Sequence, residues 1–183
     1  MANLIGIAGS LRAGSYNAAL LRAAATLMPD GTSLEIASIK DIPLYDGDIE
    51  TSQGIPQAVT ALKDRIAGAA GLLLATPEYN NAMPGVFKNA IDWLSRPPSD
   101  IPRIFGNRPV AVIGASPGGF GSILAQDSWL PVLRTLGTRP WFNGRLLVSR
   151  AGNVFNEKGE LIDEKIKVQL QEFVHGFVKF AKT

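Results

Sequence analysis

The sequence contains no cysteine and only one histidine, His175. The absence of cysteine excludes disulfide bonds, thiolate metal sites and cysteine nucleophiles. One histidine is also too few for a metal site built from several imidazoles. His175 has Phe173, Val174 and Phe177 as neighbours in sequence. In such a setting a lone histidine is more often structural than catalytic, and we assign it no role.

Long apolar runs and a large charge excess are also missing. The longest run, around Ala67–Thr76, is far shorter than the roughly 18–20 residues of a membrane helix. The apolar stretch Leu4–Ala8 follows no basic region and is broken at once by Gly9, so we expect no signal peptide and a cytoplasmic protein. A formal charge of +2, from 18 basic and 16 acidic residues, does not indicate a nucleic-acid surface. We therefore expect neither nucleic acid nor membrane as a partner.

The 183 residues suit one domain, residues 1–183, in which short apolar runs alternate with stretches of helical spacing. Continuous apolar runs are typical of parallel strands buried on both faces. The alternation predicts a flavodoxin-like α/β fold, a three-layer doubly wound structure with a five-stranded parallel sheet in the order 2-1-3-4-5. The predicted strands are Leu4–Ala8, Leu34–Ala37, Gly71–Ala75, Val110–Gly114 and Leu146–Val148. The predicted helices are Ala18–Met28, Ile55–Ala69, Gly85–Leu94, Ile123–Leu136 and Asp163–Ala181.

Several local features are predicted outside the strands. Pro84 suits the start of the third helix and Asp163 the start of the last. Trp93 is expected in the core or at a subunit interface. The more irregular or charged segments are expected at the surface, as a loop, an exposed acidic turn and a solvated helix face. These three segments are Arg96–Arg103, Tyr45–Asp48 and Lys63–Arg65.

Ligands of open parallel sheets bind outside the carboxyl ends of the strands, so the loops after the first, third and fourth strands matter most. The first loop, residues 9–17, matches neither the G-x-G-x-x-G pattern nor the Gly-Lys-Ser/Thr pattern. Its short polar side chains, Ser10, Ser15 and Asn17, together with Arg12 and the amides of a helix N-terminus suit a terminal phosphate. The alternative is a turn in which Asn17 caps the helix and Arg12 is solvated.

The other two loops suit a flat ligand. In residues 76–85, two prolines stiffen a segment whose amides can meet the polar edge of a heterocycle, while Tyr79 borders its apolar edge. The alternative is a rigid turn with Tyr79 packed in the core. Residues 116–122 place three glycines where the backbone can approach a ligand closely. The predicted fold brings all three loops to one edge of the sheet.

The three loops together resemble the NADPH-dependent FMN reductase family of flavodoxin-like proteins, especially its bacterial quinone and chromate reductase branch. The similarity covers nearly the whole chain, and the tail after Arg150 is less diagnostic. The residues that carry it are Gly9-Ser10-Leu11-Arg12-x-Gly14-Ser15-x-Asn17, Thr76-Pro77-Glu78-Tyr79-Asn80, Ser116-Pro117-Gly118-Gly119, Leu44-Tyr45-Asp46 and the helix Phe87–Trp93.

This resemblance implies bound FMN, with NADPH or NADH as co-substrate and a homodimer or homotetramer with active sites near the subunit boundary. The FMN phosphate would lie on the first loop, and the isoalloxazine ring along the second, flanked by the third. The residues implied are Ser10, Arg12, Ser15, Tyr16 and Asn17 on the first loop, Pro77, Glu78, Tyr79 and Asn80 on the second, and Ser116, Gly118 and Gly119 on the third.

A flavin cofactor explains why no catalytic triad or metal site is needed, because the cofactor performs the electron transfer. We expect a ping-pong cycle in which hydride passes from NADPH or NADH to FMN and electrons then pass to a quinone or similar acceptor. Amides around Glu78 and Asn80 would stabilise charge on the reduced ring.

Two alternatives differ in class from a reductase. One is a flavodoxin-like electron carrier, although the balanced charge offers little of the steering that protein docking uses. The other is a binding module without flavin.

Overall fold

A computed structural model describes residues 2–183. Its strands are β1 (Ala2–Ala8), β2 (Thr32–Ala37), β3 (Gly71–Ala75), β4 (Pro109–Ala115), β5 (Arg139–Pro140) and β6 (Leu147–Val148). Its helices are α1 (Tyr16–Thr26), α2 (Gly47–Gln53), α3 (Gln57–Ala67), α4 (Gly85–Leu94), α5 (Ile101–Ile104), α6 (Ile123–Thr135) and α7 (Glu164–Ala181).

The strands form one parallel sheet in the order β2-β1-β3-β4-β5, which confirms the predicted flavodoxin-like topology. Side chains alternate between the two faces along each strand. In the central strands both sets are apolar and buried, as is typical of a parallel sheet covered by helices on both faces. One face packs on α1 and α7, where Leu4 and Leu73 lie. The other packs on α3, α4 and α6, where Ile5 and Leu72 lie. The predicted three layers follow from these two apolar faces.

The fifth position of the sheet differs from the prediction of one continuous strand. It holds two short pieces: β5 pairs with the beginning of β4, and β6 pairs with its end. The predicted strand Leu146–Val148 corresponds to the second piece. Between them the Trp141 ring packs edge-on against Phe173 of α7, with ring centroids 4.8 Å apart. Gly144 and Gly176 leave the space that this indole fills, because a Cβ at either position would collide with it.

The structure confirms two of the predicted helix starts, but the residue predicted to cap the first helix is not its cap. Pro84 precedes α4, and Asp163 caps α7 by accepting a hydrogen bond from the Ile166 N–H at 2.9 Å. Asn17 was predicted to cap the first helix, but Ser15 does so, its Oγ accepting from the Ala18 N–H at 3.2 Å. Because Ser15 is the cap, the helix begins two residues earlier than predicted, and Asn17 lies in its first turn with its side chain buried.

Residues 45–48 are exposed, as predicted for the acidic turn, but α2 begins within this segment at Gly47, and the predicted surface loop also contains helical turns. Asp46 caps α2 by accepting from the Asp48 N–H at 2.8 Å. The segment 98–104 forms a turn of 3-10 helix followed by α5. Trp93 is fully buried in the core. None of the helices in residues 2–183 combines the length and the apolar character that a membrane span requires.

The prediction of a solvated face on the second long helix was wrong for Lys63. Its side chain is only 2% exposed, with Nζ 2.8 Å from Asp100 Oδ2 and in contact with the Arg96 carbonyl. The segment that contains α5 folds over this lysine, which the spacing of α3 alone does not reveal. The hydrogen bond from Lys63 lowers the pKa of Asp100 below its ordinary value.

Replacing Asp100 with alanine leaves the buried Lys63 ammonium without its anionic partner. We expect the free energy of unfolding at neutral pH to fall by about 2 kcal/mol, measured by urea denaturation. Because the pKa of Asp100 is lowered by folding, this contribution is complete above about pH 4 and is lost as the pH falls through the folded-state value. An equal deficit at about pH 7 and about pH 2 would contradict an ionic role for Asp100.

Candidate functional site

Three loops leave neighbouring strands at one edge of the sheet: residues 9–15 after β1, 76–84 after β3 and 116–122 after β4. The strand order reverses between β1 and β3, and such a switch point opens a crevice at the carboxyl ends of the strands. The sheet continues into the loops, since the Gly9 N–H donates to the Ala75 carbonyl at 2.9 Å and the Thr76 N–H to the Ile113 carbonyl at 2.8 Å. The structure therefore brings the three predicted loops together.

Within residues 2–183, the first loop and the start of α1 carry hydroxyl groups, free amides and a guanidinium that has no ion-pair partner. The Ser15 N–H donates to the Arg12 carbonyl at 3.2 Å, and the Arg12 N–H to Ser10 Oγ at 3.4 Å. Arg12 is exposed and forms no ion pair with any carboxylate of residues 2–183. Over the same residues, the N–H groups of Tyr16 and Asn17 at the start of α1 have no hydrogen-bond partner. This arrangement favours an anion.

The side chains of Tyr16 and Asn17 make contacts within the protein. The Asn17 Nδ2 donates to the Ala115 carbonyl at 2.9 Å, and the Ala115 N–H donates to Asn17 Oδ1 at 2.9 Å. Asn17 is buried, so this reciprocal pair ties α1 to the end of β4 away from water. The Tyr16 ring stacks on Phe155, with ring centroids 5.9 Å apart. Both residues lie in the first loop region but hold it in place through their side chains.

The second loop contains a tight hairpin that presents Tyr79 to solvent. The Tyr79 N–H donates to the Ala82 carbonyl at 3.0 Å, and the Ala82 N–H donates to the Tyr79 carbonyl at 3.1 Å. Asn80 and Asn81 have φ angles of 49° and 61°, as the two central residues of a type I′ turn require. Tyr79 is exposed, so the alternative in which it packs in the core is wrong.

The carboxylate of Glu78 joins the second loop to α6. Its Oε2 accepts from the Leu124 N–H at 2.8 Å and from the Ala125 N–H at 3.0 Å. The residue before α6, Ser122, has a φ of 65° and forms no side-chain cap, so Glu78 supplies the missing acceptor. Sequence reasoning missed this contact because it joins residues 46 positions apart.

The third loop has a rigid beginning and two open glycines. A Cβ at Gly114 would collide with Ser122 and with the Thr76 carbonyl, so this end is tightly packed. Ser116 Oγ accepts from the Gly118 N–H at 3.1 Å and stabilises the turn. A Cβ added at Gly119 would meet no atom within 4 Å, and at Gly118 only Ser116 Oγ at 3.5 Å. The sequence shows that this segment is rich in glycine, but it does not show which glycines are tightly packed and which border open space.

Each loop also exposes one large apolar side chain. The exposed fractions are 47% for Leu11, 48% for Tyr79 and 77% for Phe120. The edge of the sheet thus combines a cationic, hydroxyl-bearing loop with two loops that expose aromatic rings. This combination suits a ligand with an anionic end and a flat apolar end.

A separate cleft of about 440 Å³ lies between α6 and residues 140–145, beside the interrupted fifth strand. Leu124, Leu130 and Trp141 are among its lining residues, and its lining includes none of the predicted cofactor residues. The polar groups that could hold a cofactor therefore converge at the three loops and not in this cleft.

The type I′ turn can be tested at Asn81. A valine there must adopt a positive φ, so we expect Asn81→Val to lower the free energy of unfolding by about 1–2 kcal/mol. Asn81→Gly relieves that restriction and should leave stability within about 0.5 kcal/mol of the wild type. Urea denaturation of the two variants measures the difference. Equal stabilities would contradict the left-handed conformation at this position.

Comparison with known proteins matches the chain to one family. Residues 2–153 match the model of a family described as NADPH-dependent FMN reductase. An NAD(P)H-dependent FMN reductase of Pseudomonas aeruginosa is 44% identical over 169 residues, which cover 92% of this chain and 89% of that protein. A quinone reductase of Escherichia coli is 37% identical over 166 residues, covering 88% of this chain and 85% of that protein.

A solved structure agrees with these sequence matches. FerB, a flavoenzyme NAD(P)H:(acceptor) oxidoreductase from Paracoccus denitrificans, superposes with a TM-score of 0.88 at 34% identity. The match covers 100% of this chain and 98% of that one. Together the comparisons confirm the resemblance that the three loops indicate.

Proposed function

Because the chain belongs to the NADPH-dependent FMN reductase family, we propose that it binds FMN at the three loops and passes electrons from NADPH or NADH to a quinone or similar acceptor. The observation that carries this proposal is that Arg12 and the first amides of α1 have no partner among residues 2–183 and lie at the same sheet edge as exposed aromatic side chains. A phosphate fits the first feature, and an isoalloxazine ring fits the second.

On the first loop, the proposed phosphate ligands are the Ser10 and Ser15 hydroxyl groups, the Arg12 guanidinium and the backbone N–H groups of Tyr16 and Asn17. The Asn17 carboxamide instead holds α1 against β4. Open space supports this arrangement, because a Cβ added at Gly14 would meet no atom of the described chain within 4 Å. The same is true of Gly119 on the third loop.

The second and third loops are proposed to hold the ring. When bound, FMN supplies the redox chemistry that the side chains of this protein lack. The backbone of Pro77–Asn80 would face the polar edge of the ring, where N–H groups stabilise negative charge. Tyr79 would border its apolar edge and exclude water, and Ser116, Gly118 and Gly119 would flank it from the third loop.

NADPH or NADH and the acceptor would use one cleft in turn, in a ping-pong order. The relatives named quinone reductase support a quinone-type acceptor for this chain. A homodimer or homotetramer and a cytoplasmic location stay predictions.

Stepwise reduction tests the proposed function. FMN-loaded protein is mixed anaerobically with NADPH or NADH, and a quinone is added after the nucleotide is consumed. We expect the visible absorbance of oxidised flavin to bleach when the nucleotide is added and to return when the quinone is added. Bleaching by neither nucleotide would contradict the reductase proposal and favour an electron carrier. A protein that binds no FMN would contradict both.

The phosphate assignment is tested by Arg12→Ala. Loss of a charge-assisted contact should raise the Kd for FMN by about tenfold or more, while thermal stability without FMN should not change. Arg134→Ala is a matched control, because Arg134 is also exposed and lies in the last turn of α6. Flavin fluorescence titration measures both variants. Equal affinities of Arg12→Ala and the wild type would remove Arg12 from the phosphate site.

A further inference from the structure

The Glu78 carboxylate connects the first half of the second loop to the beginning of α6. Within residues 2–183, the hydrogen bonds that join residues 77–82 to another helix or strand come from the Glu78 carboxylate. The other hydrogen bonds of this segment are local: those of the Tyr79–Ala82 hairpin, and the one that the Thr76 hydroxyl donates to the Pro77 carbonyl at 2.9 Å. The next anchor is the Met83 N–H, which donates to Ser128 Oγ at 3.0 Å, further along α6.

The need for this carboxylate arises at the beginning of α6. The first N–H groups of a helix have no partner within the helix, and its positive end favours an anion. Ser122 cannot cap α6 with its own hydroxyl, because its backbone is left-handed and its buried Oγ lies against Gly114. Glu78 therefore satisfies two helix amides from a different loop.

We propose that Glu78 is a positioning residue, whose carboxylate fixes the second loop on α6 and so sets the affinity of the site for flavin. This inference rests on the proposed function, because it concerns the backbone of Pro77–Asn80 that would face the ring. The Glu78 side chain acts through the loop backbone and through Oε2, which accepts both amides of α6.

A direct contact between the carboxylate and the cofactor is the competing role, and glutamine separates the two. In Glu78→Gln the side-chain carbonyl can still accept from Leu124 and Ala125, but the second oxygen becomes a donor and the charge is lost. A positioning role predicts that glutamine preserves FMN binding and that alanine does not. A direct carboxylate contact predicts that both variants bind FMN poorly.

The experiment compares FMN affinity in Glu78→Ala, Glu78→Gln and Asp163→Ala by fluorescence titration, with apoprotein melting temperatures measured in parallel. Asp163→Ala is the matched control, since this carboxylate caps α7 and lies outside the three loops. We expect the Kd for FMN to rise about tenfold or more in Glu78→Ala and to stay within about threefold of the wild type in the other two.

Amide hydrogen exchange of the apoprotein supplies a readout that does not depend on flavin. The Leu124 and Ala125 amides should be protected in the wild type and in Glu78→Gln and should exchange at least about tenfold faster in Glu78→Ala. Free exchange of these amides in the wild type would overturn the proposal, and so would wild-type FMN affinity in Glu78→Ala or poor affinity in Glu78→Gln.

Failure of this inference differs from failure of the proposed function. If the wild type binds FMN and Glu78→Ala binds it equally well, the positioning role is wrong and the proposed function stands. If the wild type binds no FMN, the proposed function is wrong, and the role assigned to Glu78 in flavin affinity falls with it.

Discussion

The reciprocal hydrogen bonds between the Asn17 carboxamide and the backbone of Ala115 are the contact on which the candidate site depends. They are buried, and each is 2.9 Å long, so losing one partner would leave polar groups unsatisfied in the interior. They fix the N-terminus of α1 beside the end of β4. Together with the apolar packing of α1 on β4, this contact sets the position of the free amides at the start of α1 relative to the third loop.

Contacts within the protein also hold the second loop, because the Glu78 carboxylate binds α6 and the type I′ turn restricts the backbone. A site held by contacts within the protein requires less ordering when a ligand binds, which is an advantage for affinity. The chemistry is divided between the loops: cation, hydroxyl groups and amides on the first, and exposed Tyr79 and Phe120 on the other two. This division matches an amphipathic cofactor with a phosphate and a flat ring, and it explains how a chain without cysteine can take part in redox chemistry.

The sequence predicts the strand order and the three loops because apolar periodicity and turn residues are local signals. Its errors concern contacts between distant segments. Ser15 and Asn17 are both good helix caps, and only the position of β4 decides that Asn17 turns inward. The position of Lys63 in the sequence of α3 predicts a solvated side chain, and only the packing of the segment that contains Asp100 shows that this lysine is buried. The interruption of the fifth strand depends on Trp141 reaching α7, and the cap that Glu78 gives to α6 depends on two loops meeting.

The most direct test of the account is a titration of the purified protein with FMN and, separately, with riboflavin, followed by flavin fluorescence. We predict one FMN bound per chain and an affinity for riboflavin weaker by about tenfold or more, because riboflavin lacks the phosphate that the first loop is proposed to hold. Equal affinity for the two flavins would contradict the phosphate site on the first loop. Failure to bind either flavin would contradict the account of all three loops.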